Sequence, residues 1–365
     1  MRIHLPKKHL ADVLSQVERV VPTRSSTPGL HLVHLYNRDN QQLVFQGSNM
    51  DIDIEAILNA DIEASDVDHF SVPAQVFGQI VRALPGELVE LSLDDNELNI
   101  SSGSFATSLQ LADASTSPSL DFPDDYQGTI SSSILASAFS HVRYATAVAE
   151  YQAIFRGVKL ELSDNHTRAI ATDGFRLAYY HIETSSGMDA NVVIPAKAVD
   201  EMTRLLAEGD VQLHVADNQL SLATGAYKLN VKLMEGTFPD YERVIPADFI
   251  VSMLIDSKQL TETVKRVALM ADQNANNRVD LFLKDGTLQI TAEGGYGHSQ
   301  EALEVSQEGS ESQIALAYNA AYLIDALATV SGDMRVSFSG TTSPSLLTSL
   351  QDPSYLAMVV PLRTS

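Results

Sequence analysis

Stretches in which apolar and polar residues alternate recur along the chain and predict β-strands. The segments VELSLDDNELNISSGSFATSLQL (89–111) and VQLHVADNQLSLATGAYKLNVKL (211–233) align without gaps at a shift of 122 residues. Each alternates with a period of two and is interrupted at two turns, the first of them an Asp-Asn pair. The pattern predicts a strand, turn, strand, turn, strand meander in both places.

A second repeat, at a shift of 125 residues, has the spacing of helices. Apolar residues four and three positions apart form one helical face, and the same triplet occurs as Leu10, Leu14 and Val17, as Leu135, Phe139 and Val142, and as Leu260, Val264 and Val267. A further amphipathic segment follows each triplet. We predict helices over residues 7–21, 74–84, 132–146, 196–207, 257–271 and 317–329.

The two repeats together divide the chain into three similar domains of class α+β. Connectors rich in Ser, Asp and Pro join the thirds at 112–128 and 234–248, and both contain Phe-Pro-Asp. We place the domains at 1–122, 129–246 and 248–365. Each is expected to pack two helices on antiparallel sheets.

The segment RAIATDGFRLAYYHI (168–182) predicts a hairpin with additional side chains at its tip. Asp173-Gly174 between two apolar runs is a strong hairpin signal, because both residue types tolerate a positive φ. The tip also carries Thr172, Phe175 and Arg176, which a bare turn does not require. From these residues alone, two interpretations stay open: an ordinary hairpin with a solvated arginine, or one wall of a binding groove.

Composition limits the classes of function. The chain has no cysteine, which excludes disulfides, thiolate metal sites and a cysteine nucleophile. No apolar run is long enough to span a membrane, and the first ten residues, MRIHLPKKHL, lack the apolar core of a secretory signal. We therefore expect a cytoplasmic protein that does not bind a membrane.

The charge is distributed unevenly between predicted helices and the rest of the chain. The net charge is −23, yet the six predicted helices carry ten Lys or Arg against six Asp or Glu, leaving 14 basic and 41 acidic residues elsewhere. Surface helices commonly carry basic residues, which is one explanation. The other is a shared basic face that holds DNA weakly and without sequence preference.

Candidate catalytic and metal sites are not supported by the sequence. Asp51, Asp53 and Glu55 share one side of a predicted strand, a pattern that the solvated face of a half-buried strand explains better than a metal site does. His31 and His34 fall on a predicted strand, where a spacing of three places them on opposite faces. No nucleophile elbow, phosphate loop, dinucleotide fingerprint or zinc-binding helix occurs. We predict a protein without catalytic activity, cofactor or metal.

Four motifs inside this threefold repeat resemble those of the bacterial DNA polymerase III beta subunit family, the sliding clamps. They are ATDGFRLA (171–178), IPAK (194–197), FPDYERVIP (238–246) and MVVPLR (358–363), and the resemblance covers essentially the whole chain. It implies a head-to-tail homodimer whose six domains close a ring, with helices lining the hole and sheets forming the outer wall. It also implies a non-catalytic processivity factor that a clamp loader opens and that tethers the DNA polymerase III catalytic subunit, other polymerases and repair proteins to duplex DNA.

The resemblance further implies three sets of functional residues. A pocket for a partner peptide would comprise Phe155, Thr172, Gly174, Arg176, Leu177, Pro239, Arg243, Val244, Asn319, Tyr322, Val360, Pro361, Leu362 and Arg363, with Arg176 and Leu177 facing the partner. DNA-facing cations would be Arg24, Arg82, Arg143, Lys197, Arg204, Lys265 and Arg266. The dimer interface would include Phe105, Leu109, Leu269 and Met270 and the strand near 298–305.

The chain departs from the family pattern in three places. Phe175 stands where many relatives carry histidine, Thr364-Ser365 extend past the usual end, and the segment 147–155 matches the family's loop poorly. The competing class of function is a scaffold or ligand-binding module that is built from the same repeat and does not bind DNA. Such a module would need neither a basic hole nor a dimer.

Overall fold

We describe the protein from a computed structural model, which covers residues 1–63, 68–94, 96–113, 118–148 and 152–363. Several sequence expectations concern residues outside these ranges. They are Asp95 in the first meander turn, part of the first connector, part of the segment 147–155, and the extension Thr364-Ser365.

The described chain repeats one order of elements three times: a strand, a helix, a group of strands, a second helix and a three-stranded meander. The first third contains β1 (Arg2–Pro6), β2 (Leu32–Arg38), β3 (Gln42–Ser48), β4 (Ile52–Asn59), β5 (Asp61–Ile62), β6 (His69–Pro73), β7 (Leu88–Asp94), β8 (Glu97–Ser102) and β9 (Phe105–Gln110). The second contains β10 (Gly128–Ser131), β11 (Gly157–Leu162), β12 (Thr167–Thr172), β13 (Arg176–Ile182), β14 (Ala190–Pro195), β15 (Asp210–Ala216), β16 (Gln219–Thr224) and β17 (Tyr227–Lys232). The third contains β18 (Val251–Asp256), β19 (Arg278–Lys284), β20 (Thr287–Gly294), β21 (Gly297–Glu304), β22 (Ser306–Gly309), β23 (Gln313–Asn319), β24 (Asp333–Phe338), β25 (Ser345–Ser349) and β26 (Tyr355–Val359).

The six predicted helices are present, and each ends earlier than predicted. They are α1 (Lys7–Val20), α2 (Ala74–Ala83), α3 (Ser132–Val142), α4 (Ala196–Leu205), α5 (Ser257–Val267) and α6 (Ala320–Ala328). The last turns predicted for α3 and α5 are short 3₁₀ segments at Arg143–Ala145 and Ala268–Met270. All nine residues of the three apolar triplets are buried, so the repeated helical face is confirmed.

The start predicted for the sixth helix is wrong by three residues. Residues 317–319 end strand β23, and α6 begins at Ala320. The reason is local: the Asn319 side chain accepts a hydrogen bond from the Ala321 backbone N–H at 2.9 Å and caps the helix. Helix α5 begins as expected, since Asp256 accepts from the Gln259 N–H at 2.8 Å.

Contacts divide the chain into two compact units. The first unit comprises Met1–Ser133 and Asp200–Leu233. It holds a five-stranded sheet of order β5-β1-β7-β8-β9 and an eight-stranded sheet of order β10-β15-β16-β17-β4-β3-β2-β6. Its large sheet continues from the first third into the second because β17 pairs antiparallel with β4.

The second unit comprises Ile134–Val199 and Met234–Ser365. It holds a nine-stranded sheet of order β14-β11-β12-β13-β26-β25-β24-β18-β22 and a four-stranded sheet of order β21-β20-β19-β23. Here β13 pairs with β26, which joins the second third to the third. Each large sheet thus crosses a domain joint, and the exact domain limits stay a prediction.

One expectation about polar strand residues is wrong. Glu55, expected on a solvated face, is buried; its Oε2 accepts from Gln46 Nε2 at 2.8 Å, while Oε1 lies 3.7 Å from Lys228 Nζ and 3.8 Å from Arg38 Nη2. The ion pairs compensate for burial of the carboxylate, which alternation alone does not reveal.

Across the described ranges, no helix is both long and apolar enough to cross a membrane.

Candidate functional site

The turn between β12 and β13 is held by its own side chains. Gly174 alone of the two central residues has a positive φ, 89°. Asp173 Oδ1 accepts from the backbone N–H groups of Phe175 and Arg176 at 2.9 and 3.0 Å. Thr172 Oγ1 donates to the Arg176 carbonyl at 2.7 Å and accepts from Gly174 N–H at 3.1 Å. The side chains of Thr172 and Asp173 therefore supply four hydrogen bonds that hold the tip.

The guanidinium of Arg176 is enclosed. The side chain is 9% exposed, with Nε 3.0 Å from Asp173 Oδ2 and Nη1 2.5 Å from Asp325 Oδ2. Its Cζ lies 4.6 Å from the ring centroid of Tyr322 and 5.4 Å from that of Tyr144. Two carboxylates and two ring faces satisfy a planar cation that is expensive to bury.

The enclosed arginine joins the turn to helix α6, which carries Tyr322 and Asp325. Withdrawal from water raises the pKa of Tyr322; the Asp173 carboxylate adds to this effect, and the Arg176 cation opposes it. Phe175, at the tip, is exposed and stacks on the Tyr322 ring with centroids 6.4 Å apart. This aromatic surface is the exposed part of the tip.

A hydrogen-bonded tyrosine pair lies beneath Arg176. The hydroxyls of Tyr144 and Tyr355 are 2.8 Å apart, and Tyr355 donates to the Ala326 carbonyl at 2.9 Å. Because each phenol has one proton, Tyr144 donates to Tyr355. Burial raises the pKa of Tyr355 to about 12 and also raises the pKa of Tyr144. Both hydroxyls are neutral donors at physiological pH.

Leu177 belongs to a core cluster and does not face a partner. It is 1% exposed and packs with Ile170, Met358, Phe238 and other buried residues. The expectation that Arg176 and Leu177 both face a partner is therefore wrong for their side chains. On β13, neighbouring residues point to opposite faces, and here both faces are covered.

A connector segment supplies the exposed part of the predicted pocket. Pro239, Arg243 and Val244 are exposed, with Val244 at 49%. Arg243 pairs only with its neighbour Asp240 among the described residues, Nε to Oδ2 at 2.7 Å, and its side chain is 85% exposed. Phe155 is half-buried, against Phe238 in an edge-on contact of 6.4 Å.

Buried anchors hold this segment in place. Phe238 precedes it, Tyr241 lies within it, and both belong to the core cluster. Lys159 Nζ lies 5.7 Å from the Phe238 ring centroid and 5.3 Å from that of Tyr241. Glu161 pairs with Lys159 at 2.7 Å and accepts from the Tyr241 hydroxyl at 3.0 Å. The exposed residues are thus presented from a fixed backbone.

The C-terminal residues of the predicted pocket lie beside the turn. Val360 N–H donates to the Phe175 carbonyl at 2.9 Å, and Leu362 N–H donates to the Ala317 carbonyl at 2.7 Å. Pro361 is buried, Val360 and Leu362 are half-buried, and Arg363 is exposed. Contacts therefore connect much of the predicted pocket, while Asn319 acts as a helix cap and Arg363 has no described contact with the others.

Several residues of this region were not predicted. Phe238 and Tyr241 lie inside the motif FPDYERVIP (238–246), and that motif is the sequence signal that could have identified them. Tyr144, Tyr355 and Asp325 carry no sequence signal, because their partners are distant along the chain: Asp325 is 149 residues from Arg176.

The predicted DNA-facing cations differ in their partners. Arg82 pairs with Glu18 at 3.0 Å, Arg204 with Glu201 at 2.6 Å and Arg266 with Glu301 at 2.6 Å. Arg143 donates to the Ala196 carbonyl at 3.0 Å and to Thr146 Oγ1 at 2.9 Å. Within the described ranges, Arg24, Lys197 and Lys265 form no ion pair, and all three are exposed.

The predicted dimer residues lie on or beside edge strands. Strand β9, with Phe105 and Leu109, ends the five-stranded sheet of the first unit, and β21 ends the four-stranded sheet of the second. Phe105 is exposed and Leu109 half-buried; Leu269 and Met270 are exposed, Leu269 at 80%. An edge strand has unpaired backbone groups, which exposed apolar side chains make suitable for pairing with another chain.

No cluster of three or more metal-binding side chains occurs in the part of the chain that the structure describes. His34, on β2, is buried, and its ring nitrogens lie 2.7 Å from Ser71 Oγ and 3.2 Å from the Gly29 carbonyl. Both ring nitrogens of His34 therefore have hydrogen-bond partners inside the protein.

Comparison with known proteins gives matches over essentially the whole length of the chain. Family models of the DNA polymerase III beta subunit match as the N-terminal domain over residues 1–123, the central domain over 129–240 and the C-terminal domain over 242–363. The beta sliding clamp of Vibrio cholerae is 26% identical over 371 residues, and that of Staphylococcus aureus (strain Mu50) is 25% identical over 378 residues. Each alignment covers all of both chains.

Solved structures give the same assignment. The sliding clamp from Pseudomonas aeruginosa bound to griselimycin has a TM-score of 0.93 and 25% identity, and the DNA polymerase III beta subunit from Thermotoga maritima has a TM-score of 0.92 and 26% identity. Both comparisons cover all of each chain. The threefold repeat, the order of its elements and these full-length matches agree, and the chain belongs to the DNA polymerase III beta subunit family of three-domain, non-catalytic beta sliding clamps.

Proposed function

We propose that this sliding clamp works as a head-to-tail homodimer that closes a ring around duplex DNA. The observation that carries the proposal is the pair of dissimilar sheet edges, β9 in one unit and β21 in the other. When two copies join β9 to β21, two identical joints arise and the assembly closes. The exposed Phe105, Leu269 and Met270 become covered at those joints, with Leu109 beside them.

Duplex DNA is retained by enclosure more than by affinity in this proposal. Arg24, Lys197 and Lys265 are available to phosphate, whereas Arg82, Arg204 and Arg266 already hold carboxylates. With few available cations on a chain of net charge −23, phosphate contacts are weak, independent of sequence and sensitive to salt.

The groove beside the β12–β13 turn is proposed to bind a short segment of partner proteins. Apolar surface comes from Phe155, Pro239, Val244, Val360 and Leu362, on the rigid base that Leu177 and Arg176 stabilise. Burial of each large side chain of a Leu- and Phe-containing peptide contributes about 1.5–3 kcal/mol, and ordering of the peptide removes several kcal/mol. We expect an affinity of roughly 1 μM.

Partners that would use the groove are the DNA polymerase III catalytic subunit, the clamp loader, and other polymerases and repair proteins with a clamp-binding peptide. We infer a cytoplasmic location from this replication role. A repeat scaffold that does not bind DNA is the less favoured function, since it gives no reason for two complementary sheet edges.

Two measurements test the ring. Light scattering at micromolar concentration should give about twice the chain mass of 39.6 kDa. Clamps loaded onto circular DNA should persist at a salt concentration that abolishes direct binding, and they should leave linear DNA through its ends. A stable monomer, or equal retention on circular and linear DNA, would contradict the proposal.

A further inference from the structure

Arg82 and Glu18 form an ion pair between two helices of the predicted DNA-facing surface. Glu18 lies on α1 and Arg82 on α2; Arg82 Nη1 is 3.1 and 3.0 Å from the two Glu18 oxygens. Gln75 Nε2 also donates to the Glu18 carbonyl at 3.1 Å, which links α2 to the same turn of α1.

A glycine in the middle of α2 provides the space for this carboxylate. A Cβ on Gly78 would lie 1.3 Å from Glu18 Oε1 and 2.5 Å from Glu18 Cδ. Glycine within a helix lowers helix stability relative to alanine, so its presence here calls for a packing reason. The position of Glu18 directly over Gly78 supplies that reason.

This position against Gly78 distinguishes Glu18 from the other carboxylates that pair with predicted DNA-facing arginines. The Glu18 side chain is 10% exposed, against 20% for Glu201 and 31% for Glu301. Burial raises the pKa of Glu18, and the hydrogen bond from Arg82 opposes this rise. The carboxylate is therefore poorly hydrated and depends on Arg82 as its partner.

We propose that Glu18, seated on Gly78, is an internal competitor of DNA phosphate for Arg82, so that this arginine is withheld from the DNA in the resting clamp. A phosphate that takes Arg82 must leave a half-desolvated carboxylate without its cation, and it approaches that negative charge as it does so. The pair lowers DNA affinity and keeps the contacts of the clamp with DNA few. This inference rests on the proposed DNA-encircling function.

Glu18→Gln tests the competition. We measure binding of a short linear duplex by fluorescence anisotropy over about 50–200 mM salt, since each added phosphate contact steepens the logarithmic salt slope by about 0.9 and raises affinity roughly five- to tenfold near 0.1 M. Glu18→Gln should produce both changes. Glu90→Gln is the matched control: it removes the same charge from the exposed Arg2–Glu90 pair between β1 and β7, and should change affinity less than twofold.

Gly78→Ala repeats the test without a change of charge. The added methyl group displaces the Glu18 carboxylate, while alanine favours the helix, so affinity should rise in the same direction as in Glu18→Gln and the melting temperature should not fall. Arg82→Gln, made in the wild type and in Glu18→Gln, completes a double-mutant cycle for the ion pair. It should weaken the wild type less than twofold, but it should cancel the gain in the Glu18→Gln background.

The outcomes separate this inference from the proposed function. Absence of duplex binding by the wild type and by every variant would overturn the inference, whereas the proposed function fails only if the chain is a stable monomer or loaded clamps are retained equally on circular and linear DNA. Duplex binding by the wild type with equal affinities for Glu18→Gln and Glu90→Gln would overturn the inference alone. So would an equal loss on Arg82→Gln in both backgrounds, because Arg82 would then already contact phosphate in the wild type.

Discussion

Arg176 and Arg243 belong to the same predicted pocket, yet their surroundings are opposite. Arg176 is enclosed by two carboxylates and two tyrosine rings, whereas the Arg243 side chain is 85% exposed and contacts one neighbouring carboxylate. The difference teaches that residues named together by resemblance divide into buried residues that hold the local backbone and exposed residues that are available to a partner. Substitutions in the two parts should therefore have different consequences.

The largest contrast is expected between Leu177→Asp and Val244→Asp. Leu177 is 1% exposed in the core cluster, so an aspartate there buries a charge without a partner and should cost about 4 kcal/mol or more of folding free energy. Val244→Asp lies on the surface and should change stability by less than about 0.5 kcal/mol. Urea denaturation measures both.

The same two variants separate the binding surface from the base. Calorimetric titration with a Gln-Leu-x-Leu-Phe peptide should show at least about tenfold weaker binding to Val244→Asp, since a charge faces an apolar anchor. Val360→Asp, at a half-buried position, should also lose the peptide and keep the dimer. A fully stable Leu177→Asp protein, or unchanged peptide binding by Val244→Asp, would break the distinction.

Arg176→Ala and Arg243→Ala compare the two cations directly. Removal of Arg176 leaves Asp173 and Asp325 without their cation and opens space between two rings, for an expected loss of about 2–4 kcal/mol. Removal of Arg243 ends one exposed ion pair and should cost at most about 0.5 kcal/mol. Thermal unfolding gives the comparison, and equal shifts in melting temperature would contradict it.

Tyr355→Phe sharpens the description of the base. Loss of the hydroxyl removes a donor to the Ala326 carbonyl and an acceptor for Tyr144, which should cost about 1 kcal/mol at neutral pH. The pKa of Tyr355 is raised to about 12 from about 10 in the unfolded chain, so its neutral form stabilises the fold fully below pH 10.

That stabilisation should be lost as the pH rises from about 10 to about 12. Urea unfolding across this range should show a shallower decline of stability for Tyr355→Phe than for the wild type. Parallel declines in the two proteins would mean that folding does not raise the pKa of the Tyr355 hydroxyl.

The smallest expected effect is at the exposed aromatic tip. Phe175→Ala removes a stack on Tyr322 and part of the apolar wall, and should weaken peptide binding by about 0.5–1 kcal/mol. Stability should stay within about 0.5 kcal/mol of the wild type, because Phe175 is mostly exposed. Phe175→His is the control and should retain more affinity than alanine.

Much of the fold could be predicted because the repeats combine two independent periods. The alternation in the meanders matches strands β7 to β9 and β15 to β17, and the triplets match buried helix faces. The first turn of α6 was misassigned because Ala317, Tyr318 and Asn319 have no property that separates a strand end from a helix start. Their pairing with β19, remote along the chain, decides the strand.

The sequence predicts a set of residues for the site, but it does not predict the orientation of their side chains. Arg176 was expected to face a partner. The sequence around it gives no indication of Asp325 or Tyr144, which make its burial possible. Glu55 was misread for the same reason, since Lys228 and Arg38 are distant along the chain. Compensation for a buried charge is a tertiary property.

The sharing of the middle repeat between two sheets has a consequence for modularity. Strand β17 pairs with β4 and strand β13 with β26, so the middle repeat completes a sheet at each of its joints. In an isolated middle repeat, β17 and β13 would become open sheet edges with unpaired backbone groups, which are a template for aggregation. The three repeats are alike in sequence, but the middle one is not a separable building block.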